Sequence, residues 1–438
     1  MEKIPIVICI DVEPEERAID PNVAADWIGF EKTFEFFEEL RPRLEDTTRS
    51  AVHFSWFVRM DPQIAHTYGS PAWPVIRYRR LFDRIAASGD EVGLHIHPWR
   101  WDEGFDGWIS DMGNQEWVGH CVRMGFDAFE QSLNQPCRSF RFGDHWMNDA
   151  TLDLVEKLGG RFDLTPEPGR KMLALPEPHT GCPPDYTLVP HQPYRPSKVS
   201  FTQCSDSESR ELWVVPLSTC DSDQMLSSLS AQGNGLHRGS FFTKLMMRGA
   251  IIRSGYEGFL DSADYEAVRG WAYDARQPDH SLEIELYDGK VPLAKLKADG
   301  LRGDLLKAGK GNGRHSFALP TPTCLMDGKP HSIRAKVANS AFELSNSPRA
   351  VKSDQSVLVE PGVMLLEPSG DPWLMSRMVA VLLSTLRERY LAISLRSHEI
   401  LSHIHHVNMN ENFANIFNHP LVKDFVFETP AELVARLE

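Results

Sequence analysis

The sequence predicts an α/β protein built on a parallel sheet and interrupted by a small antiparallel β-sandwich. Three observations carry this expectation. Apolar strand-like runs alternate with amphipathic helix-like runs over 1–250 and again over 352–438; the stretch 255–351 shows period-2 alternation between Asp-Gly turn signals; and side chains able to hold a metal fall just after strands of the first kind. Alternating strands and helices read as a parallel sheet with crossover helices, open or closed into a barrel. Short alternating strands every dozen residues or so read as an antiparallel sandwich. A strand that returns after the insertion makes 1–250 and 352–438 one discontinuous domain.

Taken in order, Ile4–Ile10 is an apolar run that predicts a strand, followed by a helix that sets Phe30, Phe34, Phe37 and Leu40 on one face. Ala51–Val58 predicts a second strand, Trp73–Ala87 a helix, and Gly89–Trp99 a buried strand ending in His95 and His97. Trp99–Met112 is rich in Trp and Asp and reads as a loop before a helix over Glu116–Leu133. Ser139–Phe142, a helix over Ala150–Leu158, Arg161–Leu164 and Leu212–Leu217 continue the series. Pro166–Pro196 is Pro-rich and reads as a long loop over the top of the sheet carrying Glu167, His179, His191 and Tyr194; loops of that length are uncommon unless functional. Ser218–Gly239, rich in Ser, Gly and Gln, reads as mobile.

Within the insertion, Val268–Tyr273, Leu282–Leu286, His315–Leu319 and His331–Val337 are the expected strands, with turns at Asp288-Gly289 and Asp327-Gly328. Beyond it, Trp373–Tyr390 predicts an apolar helix, Leu391–Leu395 a strand, Glu411–Phe417 a helix, Asp424–Phe427 a short strand and Pro430–Leu437 a last helix.

Composition narrows the function. With 438 residues the chain exceeds the size of about 250–300 residues at which single cores stop growing. A net charge of −15 with no basic stretch argues against a nucleic-acid partner. No apolar run reaches membrane-spanning length, and Ile4–Ile10 is too short for a signal peptide. The seven cysteines are odd in number and lack C-x-x-C pairs, so reduced thiols and a cytoplasmic location are expected.

The chemistry concentrates at two strand ends. Residues two apart on a strand share a face, so His95 and His97 point to one spot, as do Asp11 and Glu13 with Val12 turned away. Two histidines and one carboxylate form an open zinc ligand set that leaves a position for water, and the second carboxylate is then available as a base. The spacing leaves open which carboxylate binds. Sites in parallel sheets form at this carboxyl end. Trp99, Trp101, Trp108 and Trp146 also follow strand ends, where they suit sugar stacking or the core. His403, His405 and His406 read as a surface loop or helix start.

These motifs resemble the polysaccharide deacetylase (NodB homology) family, metal-dependent carbohydrate esterases on a distorted (β/α)7 barrel. Asp11 and Glu13 match the family's first motif as D-x-E; Gly89, Glu91, Gly93 and His95 match the second; and Arg141 in Phe140-Arg141-Phe142-Gly143 matches the third. Where the family has a histidine four residues after the first, this chain has Trp99, and His97 takes over as second ligand. Trp213 resembles the apolar wall after the sixth strand. The family's late histidine is replaced by Arg396, with His398 two residues on and on the same strand face. The combination is similar to a divergent branch associated with bacterial surface polysaccharides. The inserted segment, through Arg269-Gly270-Trp271-Ala272-Tyr273-Asp274 and Gly313-Arg314-His315-Ser316-Phe317, resembles a β-rich module that recurs in bacterial glycan-processing proteins and is a possible carbohydrate-binding module.

The resemblance implies hydrolysis of an N- or O-acetyl group on a bacterial polysaccharide or its sugar precursor. Glu13, His95 and His97 would hold one divalent metal, zinc being favoured by the donor set. Asp11 would be the base, Arg141 its partner, and His398 the acid toward the leaving group, with His145 and His191 as alternatives. Trp99, His145, Trp146, His191 and Trp213 are the expected substrate contacts. Two rivals are an inactive glycan-binding protein and another metal-dependent hydrolase; a glycosidase would need flanking carboxylates, for which Glu167 is the loop candidate.

Overall fold

The computed structural model describes residues 3–171, 179–205, 208–221, 255–263, 267–321, 325, 331–351, 363–386 and 388–438. The chain divides into two compact units, Met1–Asp221 with Val363–Glu438, and Ser222–Gly362.

In the first unit, strands β1 (Ile4–Val12), β2 (Ser55–Arg59) and β3 (Glu91–Ile96) precede a hairpin of β4 (Trp99–Asp102) and β5 (Gly107–Asp111), then β6 (Ser139–Phe142), β7 (Phe162–Asp163), β8 (His179–Thr180), β9 (Trp213–Val214) and β10 (Thr219–Asp221). In the second unit lie β11 (Tyr256–Ala263), β12 (Ala267–Asp274), β13 (Glu283–Asp288), β14 (Val291–Lys297), β15 (Gly300–Leu301), β16 (Arg314–Pro320), β17 (His331–Val337) and β18 (Arg349–Val351). The first unit resumes with β19 (Val363–Leu365), β20 (Leu391–Arg396) and β21 (Phe425–Phe427).

Seven of these strands form a curled parallel sheet in the order β20-β1-β2-β3-β6-β7-β9, and β21 joins the first residues of β1. The ends of the sheet approach each other beyond β9, where the Ser218 N–H donates to the Ala392 carbonyl at 3.0 Å and the Ser218 hydroxyl accepts from the Ala392 N–H at 2.9 Å. Strand alternation then sorts the side chains. Val7 and Cys9 of β1 join Phe57, Leu164, Val215, Leu217, Tyr390 and Ala392 in one buried cluster. Asp11 continues the same row of β1, at the sheet's carboxyl end. A Cβ on Gly93 would lie 2.6 Å from the Phe57 ring, so that row tolerates no side chain there.

The helix expected around Phe30–Leu40 spans Ile28–Thr48 and buries Phe30, Phe34, Phe37, Leu40 and Leu44. Phe30, Phe34 and Phe37 pack on Trp56 with ring centroids 5.9–6.0 Å apart. Several expectations change. Trp99–Met112 is not a loop but contains the β4–β5 hairpin, whose cross-strand Trp101 and Trp108 meet edge to face at 5.3 Å; their alternation was the strand signal. The helix expected over Trp73–Ala87 is two short helices that part at Tyr78, whose hydroxyl oxygen accepts the Trp27 N–H at 2.6 Å. The helix expected from Trp373 to Tyr390 is regular only over Pro372–Ala380 and widens into a π turn at Val381–Thr385. The helix expected from Glu411 begins at His403. The Ser/Gly/Gln-rich stretch beyond Asp221 and the Asp327-Gly328 turn lie outside the described residues.

The second unit contains two four-stranded antiparallel sheets, β11-β12-β16-β15 and β14-β13-β17-β18. Period-2 burial marks each, with Ile284, Leu286, Ile333, Ala335 and Val337 buried on one face of the second sheet. Among the described residues no helix is long and apolar enough to cross a membrane.

Candidate metal centre and active site

Parallel pairing sets the histidine strand beside its neighbours: His95 lies in register with Arg59 on β2 and with Arg141 on β6, while Asp11 lies opposite Phe57 and Arg396. Asp11, Glu13, His95, His97 and Arg141 are all buried, yet all five border one cavity of about 300 Å³.

Glu13, His95 and His97 converge there, with one donor atom from each lying within 4.8 Å of the others. His95 Nε2 and His97 Nε2 are 3.0 Å apart, and Glu13 Oε2 lies 3.4 Å from His97 Nε2 and 3.9 Å from His95 Nε2. Ligands about 2.0–2.2 Å from a tetrahedral ion stand about 3.3–3.6 Å from one another, so the three atoms suit one such ion. The remaining ring nitrogens are committed. His95 Nδ1 donates to the Arg141 carbonyl at 3.0 Å, and His97 Nδ1 donates to Asp144 Oδ1 at 3.0 Å. Each bond fixes the tautomer that leaves Nε2 with a lone pair, the arrangement metal-ligating histidines use. The chemistry of this donor set fits a divalent metal.

The supporting groups come from several loops. Asp144 Oδ2 accepts the Ser110 hydroxyl at 2.8 Å, and Arg17 pairs with Oδ1. Asp61, fully buried, accepts the His97 backbone N–H at 3.1 Å and Arg59 Nε at 2.7 Å, and also caps the helix Pro62–Tyr68. Gly143 lies against the imidazole so closely that a Cβ would sit 2.3 Å from His97 Cε1.

Electrostatics follow from burial and pairing. Burial acts to raise the Glu13 carboxyl, but the His97 hydrogen bond and the charges of His97, His95 and Arg59 outweigh it and hold the group well below the usual carboxylate range. Burial pushes His95 down to about 4, against the opposing pull of Asp11, so its ring is neutral as a ligand must be. For Asp144, burial is outweighed by the charge and hydrogen bond of His97 and by Arg17, which lower it.

Asp11 stands beside this cluster. Arg141 Nε reaches its two oxygens at 2.9 and 3.1 Å, while the other guanidinium nitrogens bind the Leu164 carbonyl at 2.9 Å and the Ser394 hydroxyl at 3.2 Å. The arginine is held on three sides, and so is the carboxylate it orients.

His398 borders the cavity, but not as expected. Strand β20 ends at Arg396, and His398 lies in a 3-10 turn, Ser397–Leu401, rather than on one strand face with Arg396. The Ser397 hydroxyl ties that turn to the backbone of Glu13, and Gly29 packs on it so tightly that a Cβ would lie 2.5 Å from His398 Cα. His398 Nδ1 is 3.8 Å from Glu13 Oε1.

Of the five expected substrate contacts, only His145 is among the residues bordering the cavity. Trp99 is buried beneath His97, its Nε1 3.4 Å from Nδ1, and Trp146 is buried after a turn in which Asp144 and His145 both have φ of 55°. That turn aims Asp144 and His145 at the cavity and leaves Trp146 in the interior. Trp213 packs on the core cluster with Nε1 3.4 Å from Glu438 Oε1, and His191 Nδ1 lies 3.4 Å from Glu388 Oε1. The sequence reading missed Asp144, Asp61, Arg170 and Glu367; only Asp144 carried a signal, directly after the Arg141-Phe142-Gly143 motif. Glu367 faces the cavity, where burial and the nearby carboxylates of Glu399 and Glu167 push it up to about 7. His403, His405 and His406 open the helix His403–Phe417 and form no ligand group among the described residues.

No protein-family model and no curated protein matches the chain. Among solved structures it is similar, at low identity and over part of its length, to polysaccharide deacetylases and their relatives of the CE4 family. A proposed polysaccharide deacetylase from Mycobacterium smegmatis is 16% identical over 50% of this chain and 59% of its own, with a TM-score of 0.28. A proposed glycoside hydrolase/deacetylase from Parabacteroides distasonis is 14% identical over 51% of this chain and 48% of its own, with a TM-score of 0.32. A CE4 family pseudoenzyme from Bacillus anthracis is 15% identical over 38% of this chain and 45% of its own, with a TM-score of 0.24. The chain thus spans under two thirds of the length of each. At such distance the likeness leaves the reading of the site to its own geometry.

Proposed function

We propose that this protein is a metal-dependent deacetylase that hydrolyses an N- or O-acetyl group on a bacterial polysaccharide or its sugar precursor. The observation that carries the reading is the convergence of Glu13, His95 and His97 beside the separately held Asp11–Arg141 pair at the mouth of one cavity.

Glu13, His95 and His97 hold one divalent ion, with zinc favoured by two imidazoles and a carboxylate. Bound there, the ion supplies Lewis acidity toward water and the acetyl carbonyl. The rest is the work of the chain. Asp11, outside the ligand set, accepts a proton from the attacking water. Arg141 is a positioning residue: its guanidinium fixes the orientation of the Asp11 carboxylate. A cavity histidine, His398 or His145, returns a proton to the leaving group. The burial of Asp11 and both histidine ligands excludes bulk water, which strengthens each of these interactions. In the second unit, we read the two antiparallel sheets as a sandwich that serves as a carbohydrate-binding module.

Metal content of the purified protein beside His95→Ala and His97→Ala, followed by acetate release from acetylated sugars, tests the reading. About one ion per chain, lost in both variants, together with acetate release is the expected result. No metal under any loading condition overturns it, and new reducing ends without acetate would point to a glycosidase instead.

A further inference from the structure

After β6 the chain turns through two consecutive non-glycine residues at φ 55°, Asp144 and His145. Such backbone is unfavourable for residues with side chains and persists where the surroundings enforce it. Here it sends neighbouring side chains to different partners: Asp144 to His97, and His145 to Glu167.

His145 Nδ1 lies 2.8 Å from Glu167 Oε1, and the Tyr186 hydroxyl donates to the His145 carbonyl at 2.7 Å. Glu167 is fully buried, and Arg170 pairs with its other oxygen. Burial alone would raise this carboxyl; the charge and hydrogen bond of His145, with Arg170 and Arg141, hold it down to about 2. The imidazole itself is about one-third exposed and borders the same cavity as Asp11 and His95. With Nδ1 committed to Glu167, Nε2 is the nitrogen left for the cavity. A ring oriented by a buried carboxylate and open on its other nitrogen is the arrangement of a proton-transfer histidine.

His398 lacks that orientation. Its Nδ1 is buried without a hydrogen-bond partner and lies beyond hydrogen-bond distance from Glu13, a carboxylate already committed to the metal centre.

We infer that His145, positioned by Glu167, is the general acid that protonates the leaving group. The inference rests on the deacetylase reading above. Attack of water forms the new C–O bond and sends the carbonyl π pair to oxygen, with the water proton passing to Asp11. In the second step the C=O bond re-forms, the bond to the leaving nitrogen or oxygen breaks with its pair on that atom, and the atom takes the proton from His145 Nε2. Acetic acid and the free amine or alcohol leave, the acid giving up its proton to solvent as acetate; solvent reprotonates His145 and takes the proton from Asp11.

The test compares two acetate esters on the full-length, metal-loaded protein: 4-nitrophenyl acetate, whose phenolate leaves without a proton, and glucose pentaacetate, whose alkoxide does not. His145→Gln is expected to lower kcat on the sugar ester by about 10²–10⁴-fold while changing the aryl ester little. Glu167→Gln should show the same split to a smaller degree, which a purely structural role would not produce, and it keeps the test alive if His145→Gln does not fold. An equal loss on both esters in either folded variant, or the split appearing in His398→Gln instead, overturns the inference. Wild type that hydrolyses only the aryl ester also overturns it, because no group then supplies the proton. Wild type inert on both esters overturns the deacetylase reading itself.

Discussion

Asp144 Oδ1 lies 3.0 Å from His97 Nδ1, while the opposite nitrogen of the same ring faces His95 and Glu13. The carboxylate is fully committed, with Ser110 and Arg17 on its oxygens, so His97 cannot rotate without breaking a buried hydrogen bond. The candidate ligand His97, just past the end of β3, is thus held by a residue from the loop after β6, the neighbouring strand.

Asp144→Asn should therefore weaken metal binding by about 10–100-fold without unfolding the protein, the usual cost of losing such a partner. Chelator competition on the purified variant measures it. Unchanged affinity would show that Asp144 does not set the orientation of His97.

Gly143→Ala should displace His97 from the centre, because the added Cβ would lie 2.3–2.5 Å from three atoms of its ring. Metal stoichiometry is expected to fall well below that of wild type while the circular dichroism spectrum is retained. A variant that binds metal normally would mean the β6 loop yields more easily than the ring does.

Asp11→Asn removes the proposed base but none of the three ligand atoms. Acetate release should fall by about 10²–10⁴-fold at unchanged metal content. Loss of metal in this variant would instead make Asp11 a ligand and require a different base.

Asp163, buried on β7, is pushed up to about 7 by burial, which its hydrogen bonds to Thr165 and the charge of Arg141 only partly offset. A folded-state value above the unfolded carboxylate value of about 3.9 means the native protein binds the proton more tightly, so stability falls as pH rises from about 4 through 7. Asp163→Asn should remove that part of the slope and gain relative stability above pH 7. Urea denaturation at pH 5 and pH 8 measures it; an identical slope in both proteins would rule the group out.

Much of this architecture is legible along the chain, because it depends on local periodicity. The apolar run of β1, the helical spacing of Phe30, Phe34, Phe37 and Leu40, and the D-x-E and H-x-H pairs each encode an element and a facing without reference to anything distant. The β4–β5 hairpin was hidden by its Asp and Gly content, and the break at Tyr78 by a helical pattern that runs on through it.

What the sequence by itself determined is that two imidazoles and two carboxylates stand at strand ends, since side-chain alternation on a strand follows from backbone geometry alone. Only the tertiary structure decided which of them meet. Strand order set β1, β2, β3 and β6 in succession, giving Glu13 to the histidines and Asp11 to Arg141; two left-handed residues after β6 aimed Asp144 and His145 at the cavity and sent Trp146 inward; and the turn after β20 placed His398 off the strand face. The physical reason is that pairing, register and turn direction are settled by contacts between residues far apart in the chain, such as Glu13 with His97 and Asp11 with Arg141, and no local pattern records them.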